Sequence, residues 1–354
     1  MDEIKELQEE NKNLKVRIDS IEETLSVYRN ALQDLINQIR DVSNVIYDSH
    51  DINIKEHMRM SSLGTNLPFE IGDPREYETE FFYPVIVEAE QAVQEIIDHK
   101  KSIARFGDGE FAIICGRVRS KFQRVDDELG RRLKQVLQSD IDNLMIGIAN
   151  NYGNLERYTD FAANGIRIYM QNDIRREHMK LLSRERVYYD AYLSRPYVMY
   201  RDHFTDAPKK RFEHLKEIWD DRNVIMIEGA QTRLGVGNDL FDNCNTIRRI
   251  LAPATNSYDR YDDVLKSALK HGKENDLFLI ATGPCAGVFA YDLTLEGFQA
   301  VDVGHVDIEY EWFLRGTGDR EVVANKYTHE IIGQEEAEDI QDPVYESQII
   351  DRFL

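Results

Sequence analysis

Apolar residues recur every three and four positions through the first 49 residues of the chain. One heptad position is filled by Ile4, Asn11, Ile18, Leu25, Leu32, Ile39 and Ile46, and the other by Leu7, Leu14, Ile21, Tyr28, Leu35 and Val42. The residues between them are mostly Glu, Lys, Gln and Asp, and the stretch contains no Gly or Pro. An apolar repeat sustained over about six heptads predicts a coiled coil over residues 1–49.

The apolar seam of this helix predicts a homo-oligomer, because a single helix would leave the seam in water. Asn11 at a core position favours a parallel dimer, whereas Ile18 together with Ile21 favours three strands. We prefer the dimer and keep the trimer as an alternative. A further alternative is a long helix that folds back on the globular part of the chain.

Residues 50–78 lose the heptad, which predicts an irregular connector. Its helix-breaking residues are Gly64, Pro68, Gly72 and Pro74. A helical pattern returns at about Glu78 and continues to about His99. Pro84 is compatible with this helix because proline is tolerated near a helix start.

Short apolar runs then alternate with helical patterns. The runs are Ile103–Phe106, Leu144–Ala149, Val224–Ile227, Ile247–Leu251, Leu277–Ala281 and Ala300–Val303, and the helical patterns are Asp127–Gln138, Lys209–Trp219, Asp262–Lys270 and Cys285–Leu295. Continuous apolar strands separated by helices predict the α/β class, with a doubly wound, mostly parallel sheet covered on both faces. Residues 150–208, which are rich in Tyr and Arg, are interpreted as a helical insertion.

The predicted domains are therefore a coiled coil (1–49), a connector (50–78), an α/β domain (79–317) and an acidic tail (318–354). The net charge of −21 argues against nucleic-acid binding, which needs a basic face. No apolar run approaches the length of a membrane span. The three cysteines lack metal-binding spacing and predict thiols in a cytoplasmic protein.

The stretch from Ser102 to Phe111 carries the first candidate site. A predicted strand ends at Gly107, and Asp108 and Glu110 follow on a tight turn. Strand-to-helix turns lie at the carboxyl edge of a parallel sheet, where ligands bind. Two carboxylates there can hold a hard divalent cation, which can in turn bind a phosphate. The alternative interpretation is an ordinary solvated turn, in which Gly109 supplies the backbone freedom.

The second candidate follows the Val224 strand as an acidic strand end and a glycine-bearing loop. Its residues are Glu228, Arg233, Gly235, Gly237, Asn238 and Asp239. Glycines let backbone N–H groups approach an anion, and an arginine can pair with a diphosphate. The spacing differs from the dinucleotide fingerprint, so a dinucleotide cofactor is not expected. A glycine-rich connector without a ligand is the alternative.

Two further strand ends carry polar residues. Thr282 and Gly283 precede Pro284, an arrangement suited either to plain helix capping or to anion binding. After the last run come His305, Asp307 and Glu309, each of which could accept a proton from a hydroxyl. Because the carboxyl ends of parallel strands meet at one edge, we expect the four candidates to converge there.

Three of these stretches together resemble the GT-D type glycosyltransferases, a family first catalogued as a domain of unknown function in bacterial surface-glycan and adhesin-glycosylation clusters. The stretches are Arg105 to Glu110, Glu228 to Phe241 and Gly304 to Phe313, and the resemblance covers about residues 80–315. It implies a Rossmann-like sheet, a nucleotide-sugar donor, which is a UDP-sugar in the best-known member, and a divalent cation held by an Asp-x-Glu motif, which Asp108 and Glu110 match.

The sequence thus predicts a metal-dependent glycosyltransferase that acts on a glycan or glycoprotein acceptor. Mn²⁺ or Mg²⁺ on Asp108 and Glu110 would neutralise the departing diphosphate, and Asp307 is the preferred base if the reaction inverts configuration. The residues expected to bind the nucleotide-sugar are Arg105, Gly107, Glu228, Arg233, Gly235, Gly237, Asn238, Asp239, Thr282 and Gly283. The alternatives are an adenosylmethionine-dependent methyltransferase and a non-catalytic coiled-coil scaffold that binds a nucleotide.

Overall fold

The computed structural model describes residues 2–72, 80–117, 123–328, 331, 337–338 and 340–354. By its internal contacts the chain divides into two compact units, Met1–Ser61 and Ser62–Leu354. Among the described residues, no helix combines the length and the apolar character that crossing a membrane requires.

The first helix, α1, extends from Asp2 to Glu70. The irregular connector predicted from residue 50 onward is therefore wrong as far as residue 70. Pro68 lies inside the helix, although proline removes one of the backbone hydrogen bonds there. The side chains of the first heptads, including that of Asn11, lie outside the part of the chain that the structure describes. The coiled coil stays a prediction.

Buried contacts explain why the last turns of α1 remain helical. Asn66 is fully buried, and its Nδ2 donates to the Arg167 carbonyl oxygen at 2.9 Å. Arg175 Nη2 donates to Asn66 Oδ1 at 2.7 Å, and the same guanidinium lies 4.1 Å from the centre of the Phe69 ring. These tertiary contacts outweigh the low helix propensity of Gly64 and Pro68.

Within the described part of the chain, nine strands form one sheet in the spatial order β1-β4-β3-β2-β8-β7-β5-β6-β9, and all neighbouring pairs are parallel. The strands are β1 (Val85–Val87), β2 (Ser102–Phe106), β3 (Leu144–Ile148), β4 (Val187–Asp190), β5 (Asn223–Gly229), β6 (Thr246–Ala252), β7 (Leu277–Ala281), β8 (Gln299–Asp302) and β9 (Ile349–Arg352). The predicted α/β class with a parallel sheet is confirmed, whereas the doubly wound connectivity stays a prediction.

The described residues also form ten further α-helices, which lie between the strands along the chain. They are α2 (Ala89–His99), α3 (Asp108–Ile114), α4 (Asp127–Gln138), α5 (Asp160–Tyr169), α6 (Asn172–Leu181), α7 (Ala207–Lys216), α8 (Tyr261–His271), α9 (Ala286–Leu295), α10 (Val306–Arg315) and α11 (Pro343–Gln348). Residues alternate between two hydrophobic clusters along the central strands: Leu277 and Leu279 belong to one cluster, and Phe278 and Ile280 to the other. Both faces of the sheet are therefore covered.

Three short strands were not predicted. β1 lies where a helix was expected, because three β-branched residues follow Pro84 and pair with β4. β4 lies within the expected helical insertion, and β9 lies within the expected tail, where it pairs with β6. Each has only three or four residues, too few to show a period in the sequence.

The order of the strands defines a crevice between β2 and β8. From β2 the chain passes to β3 and then to β4, toward one side of the sheet, whereas β8 belongs to the half that ends at β9. Connections that diverge from neighbouring parallel strands leave room outside the carboxyl ends of those strands. This crevice is the place where a ligand is expected.

Candidate functional site

The four strand ends singled out in the sequence belong to β2, β8, β7 and β5, which are consecutive in the sheet. Because these strands are parallel, the turns that follow them lie at one edge. Their backbones therefore converge as expected. Their side chains fall into two sets. One set lies at the crevice, and the other forms hydrogen bonds and ion pairs inside the protein.

The turn after β2 begins α3. Gly107 is the residue before the helix, Asp108 is exposed, and Glu110 is half-buried. The Gly107 N–H donates to Glu110 Oε2 at 2.7 Å, so one oxygen of this carboxylate already caps the helix. Burial raises the pKa of Glu110 to about 7, and the charges of Asp302 and Asp108 add to the effect.

Asp302 ends β8 and is held by Arg105 of β2. Arg105 Nη2 donates to Asp302 Oδ1 at 2.6 Å and Nε donates to its carbonyl oxygen at 2.8 Å. Burial raises the pKa of Asp302, while the guanidinium opposes the rise. Nη1 of Arg105 donates to Ser194 Oγ at 2.6 Å. Arg105 therefore joins β2, β8 and the turn after β4, which favours a positioning role over the predicted role in binding the nucleotide-sugar.

Gly304 allows this arginine to lie against the backbone after β8. A Cβ atom at Gly304 would lie 1.8 Å from Arg105 Nη2, and its φ of +44° is one that favours glycine. The backbone at residue 304 can therefore lie this close to the Arg105 guanidinium only because the residue is glycine.

The turn after β7 adjoins the turn after β2. A Cβ atom on Gly109 would lie 3.9 Å from Pro284 Cγ. Gly283 is exposed with a φ of +69°, whereas Thr282 is fully buried and lies within 3.4 Å of Cys285 Sγ. Gly283 therefore faces the crevice, and Thr282 supports the turn from inside.

Glu228, at the end of β5, is fully buried. Its Oε1 accepts from Arg249 Nη1 at 2.6 Å, and its Oε2 accepts from the Leu234 N–H at 2.7 Å. Arg249 also donates to the Leu234 carbonyl oxygen at 2.9 Å. This buried ion pair fixes the loop after β5, which argues against direct contact of Glu228 with a ligand.

Arg233 is also buried and donates hydrogen bonds inside the protein. It is only 6% exposed, and its Nη1 donates to the carbonyl oxygens of Asn325 at 2.7 Å and Glu338 at 2.5 Å. The arginine therefore ties the loop after β5 to the C-terminal part of the chain. This geometry argues against the predicted pairing with a diphosphate.

Asp307, the preferred base, lies in a buried polar network. Lys326 Nζ donates to its Oδ2 at 2.6 Å, and the Gly235 N–H and Asn238 Nδ2 both donate to its Oδ1 at 2.9 Å. Asp307 and Lys326 are 3% and 1% exposed. A carboxylate with these partners is poorly placed to receive a proton from a substrate, and the network also accounts for Gly235 and Asn238 without a ligand.

Glu309 and Asp239 likewise have internal partners. Glu309 is fully buried, and its Oε2 accepts from the N–H groups of Tyr197 and Val198 at 3.1 Å each. Asp239 accepts from the Tyr310 hydroxyl at 2.8 Å and from Lys216 Nζ at 3.1 Å, and these two contacts lower its pKa.

Gly237 and His305 complete the predicted set. Gly237 has a φ of +85°, so its place in the loop after β5 is explained by backbone conformation. His305 is half-buried and lies directly before α10.

Several polar residues at the same edge were missed as candidates. Asp190 ends β4 and is fully buried. Burial raises its pKa to about 7; Glu88 adds to the rise, and Arg157 opposes it. The Asp190 carboxylate accepts from the Tyr192 N–H at 2.9 Å, and the Tyr192 hydroxyl donates to Asn151 Oδ1 at 2.8 Å. The position of Asp190 in a short strand that was not predicted explains the omission.

No group of three or more His, Cys, Asp or Glu side chains within the described ranges is arranged to hold a metal ion. The carboxylates nearest the crevice are Asp108, Glu110 and Asp302, and Asp302 is paired with Arg105. Asp108 and Glu110 are two carboxylates on one turn at this edge.

An open parallel sheet with carboxylates and glycine turns at its carboxyl edge defines an α/β protein built to bind a ligand at that edge. The family model described as "Glycosyltransferase GT-D fold" matches residues 103–331, which include every candidate site residue. The chain belongs to this glycosyltransferase family. The predicted resemblance is confirmed, and the methyltransferase alternative gains no support.

Two curated relatives come from streptococci. The chain is 34% identical over 266 residues to "Probable glycosyl transferase Gly" of Streptococcus gordonii, an alignment covering 75% of this chain and 38% of that protein. It is 34% identical over 268 residues to "Glycosyltransferase GlyD" of Streptococcus pneumoniae serotype 4, covering 75% of this chain and 32% of that protein. The alignment thus covers less than two-fifths of the length of either relative.

Solved structures share the fold. A structure titled "A New Glycosyltransferase (DUF1792) from Streptococcus sanguinis" matches with a TM-score of 0.71 and 33% identity, covering 77% of this chain and 100% of that one. A second, titled "The highly conserved domain of unknown function 1792 has a distinct glycosyltransferase fold", matches with a TM-score of 0.71 and 31% identity, covering 76% of this chain and 96% of that one.

Proposed function

We propose that this chain transfers a sugar from a nucleotide-sugar donor, a UDP-sugar, to a hydroxyl of a glycan or glycoprotein acceptor. The observation that carries the proposal is the turn with Asp108 and Glu110 at the crevice between β2 and β8, adjoining the Gly283–Pro284 turn. The family supplies the class of reaction, and this turn supplies the chemistry that a departing diphosphate needs.

The diphosphate would lie across the turns after β2 and β7. The turn after β7 leads into the start of a helix, where backbone N–H groups and the helix dipole favour an anion. The turn after β2 supplies the carboxylates for the counter-ion. Gly283 is exposed there, so a phosphate oxygen can approach its backbone closely. Arg105 and Asp302 would hold the crevice wall rather than contact the donor.

Mn²⁺ or Mg²⁺ fits the donor set of this turn. Asp108 is exposed, and Glu110 uses Oε2 for the helix cap, which leaves Oε1 as a second hard oxygen donor. Such ions are commonly held by one or two carboxylates, with substrate phosphates and water completing the shell. When bound, the ion would supply positive charge against the charge that develops on the leaving diphosphate.

His305 is the proposed base for the acceptor hydroxyl. Of the three bases that the sequence suggested, Asp307 and Glu309 are 3% and 0% exposed, whereas His305 is half-buried beside the β8 turn. Imidazole commonly accepts and returns a proton in catalysis.

A cytoplasmic location stays a prediction.

The test is calorimetric titration of the full chain with UDP-, GDP-, CMP- and dTDP-sugars, each with and without Mn²⁺. We expect binding of one nucleotide class, the uridine class, and at least about tenfold weaker binding without the metal, because the diphosphate then lacks its main counter-charge. A folded protein that binds none of the four, or that binds adenosylmethionine instead, would overturn the proposal.

A homo-oligomer formed through the N-terminal helix is the second part of the proposal, with a dimer preferred and a trimer as the alternative. Its support is an exposed heptad seam in α1. The side chains of Ile18, Ile21, Leu25, Tyr28, Leu32 and Leu35 are each 54–68% exposed. Burying such a seam against a second copy removes apolar surface from water.

Sedimentation equilibrium tests this part. We expect two or three copies for the full chain and a single copy for the variant carrying Leu25→Asp and Leu32→Asp, because charged residues in the seam oppose helix association. A matched control places two aspartates away from the seam, at Ser26 and Gln33. A full chain that sediments as one copy, or a seam variant that assembles like the control, would contradict the coiled coil.

A further inference from the structure

A second cleft lies at the carboxyl edge, beside the ends of β1 and β4. Its volume is about 340 Å³, and three arginines line it, namely Arg157, Arg201 and Arg211. Glu88, which directly follows β1, is part of its wall. Three strand spacings separate β1 from β2, which is roughly 14 Å. This distance is comparable to the length of a short oligosaccharide.

The charges of this cleft are already paired. Arg157 donates to both carboxylate oxygens of Glu88, at 3.0 Å for the longer contact. Arg211 donates to Asp202 at 2.6 and 2.9 Å. An anionic ligand would have to displace these carboxylates from the arginines. A neutral ligand rich in hydroxyl groups would leave these ion pairs intact. Its hydroxyls would form hydrogen bonds with the carboxylate lone pairs and arginine N–H groups that the ion pairs do not use.

Arg211 and Tyr200 form a rigid floor for the cleft. The guanidinium of Arg211 lies 4.5 Å from the centre of the Tyr200 ring, and Tyr200 is only 7% exposed. The side chain of Arg211 is 19% exposed, so its position is fixed by packing as well as by Asp202. Groups held in place before binding cost less entropy when a ligand binds.

The turn after β4, which carries Tyr192 and Ser194, connects the cleft with β2. Tyr192 lines a smaller hollow that shares Tyr200 and Arg211 with the cleft. Ser194 of the same turn accepts from Arg105 Nη1 at 2.6 Å. The turn after β4 therefore lies between the cleft and β2, along one edge of the sheet.

We propose that this cleft binds the uncharged saccharide part of the acceptor, with Arg157, Arg201 and Arg211 donating to sugar hydroxyls. The inference rests on the proposed glycosyltransferase function and adds to it the position and the chemical class of the acceptor. Arg201 is oriented for this role by Asp160, to which its Nη2 donates at 2.5 Å.

Saturation-transfer NMR on the full chain measures the binding of three neutral disaccharides: cellobiose, lactose and N,N′-diacetylchitobiose. Inorganic pyrophosphate is the anionic probe. The variants are Arg157→Ala and Arg201→Ala, whose side chains are 40% and 55% exposed in the native protein. The matched control is Arg131→Ala, because Arg131 is an exposed arginine paired with Glu128 on α4.

We expect at least one disaccharide to bind wild type and the control equally, and each cleft variant to bind it at least tenfold more weakly. UDP-sugar binding is expected to be the same in wild type and in the Arg131→Ala control, which shows that the donor site is intact in both. No disaccharide binding to wild type, binding unaffected by both substitutions, or a cleft that binds pyrophosphate instead would overturn this inference. Failure of UDP-sugar binding in wild type would identify the proposed function as the part that fails.

Discussion

Replacing Arg249 by methionine is expected to lower the free energy of unfolding by about 3–5 kcal/mol, because the change leaves a buried carboxylate without its counter-charge. Glu228 is 0% exposed and Arg249 is 3% exposed. Arg249 also donates to the Leu234 carbonyl oxygen and to Gln348 Oε1, at 2.9 and 2.7 Å. The substitution removes all three contacts, and methionine cannot donate a hydrogen bond in their place.

Guanidinium denaturation of the Arg249→Met variant would measure this loss. The control is Arg131→Met, which removes an arginine from an exposed pair with Glu128; exposed pairs contribute little, so its unfolding should match wild type. Adding Glu228→Leu to Arg249→Met should recover much of the loss, since replacing both buried charges by apolar groups is often nearly neutral. An Arg249→Met variant as stable as the control would show that the pair is not what fixes the loop after β5.

The sequence was sufficient to predict the central strands and the edge at which they end. The runs that became β2, β5, β7 and β8 are short and mostly apolar, with Arg105 and Asp302 as their charged members. These are local signals, so they need no knowledge of distant partners. The convergence of four turns at one edge followed from parallel strands alone, and the spatial order confirms it.

Side-chain roles depended on partners that the sequence does not reveal. Asp307 has the carboxylate and the position expected of a base, but Lys326, which is 19 residues away in the chain, donates to it at 2.6 Å. Glu228 meets Arg249 of the neighbouring strand because of the register of β5 and β6. An acidic residue at a strand end is thus compatible with either ligand binding or internal pairing, and only the partner distinguishes the two.

Secondary structure was missed where tertiary contacts outweigh local preference. The last turns of α1 contain Gly64 and Pro68, yet Asn66 is held by Arg175 and by the Arg167 carbonyl oxygen. β9 is a strand because β6 offers a parallel partner along the other side of its backbone. Neither effect has a signature in the residues concerned.

Asp108→Asn is expected to lower kcat/KM for sugar transfer by about 100- to 1,000-fold, the cost commonly found when one group that stabilises developing charge is lost. Asparagine has nearly the same shape as aspartate and keeps an oxygen for the Gly109 N–H, which donates to Asp108 Oδ1 at 3.0 Å. Asp108 is exposed, so the fold should be unaffected. Steady-state transfer from a UDP-sugar over a range of Mn²⁺ concentrations provides the measurement.

The chain offers a matched control in Asp127→Asn. Asp127 is also exposed and is the first residue of a helix, α4, just as Asp108 is the first residue of α3. Both substitutions remove one charge from a helix N-terminus and so weaken the same dipole interaction. A loss confined to Asp108→Asn, reduced in part by more Mn²⁺, would therefore identify a role for this carboxylate in holding the ion. Equal activity in the two variants would show that Asp108 is an ordinary helix-start residue and would contradict its proposed role in holding the ion.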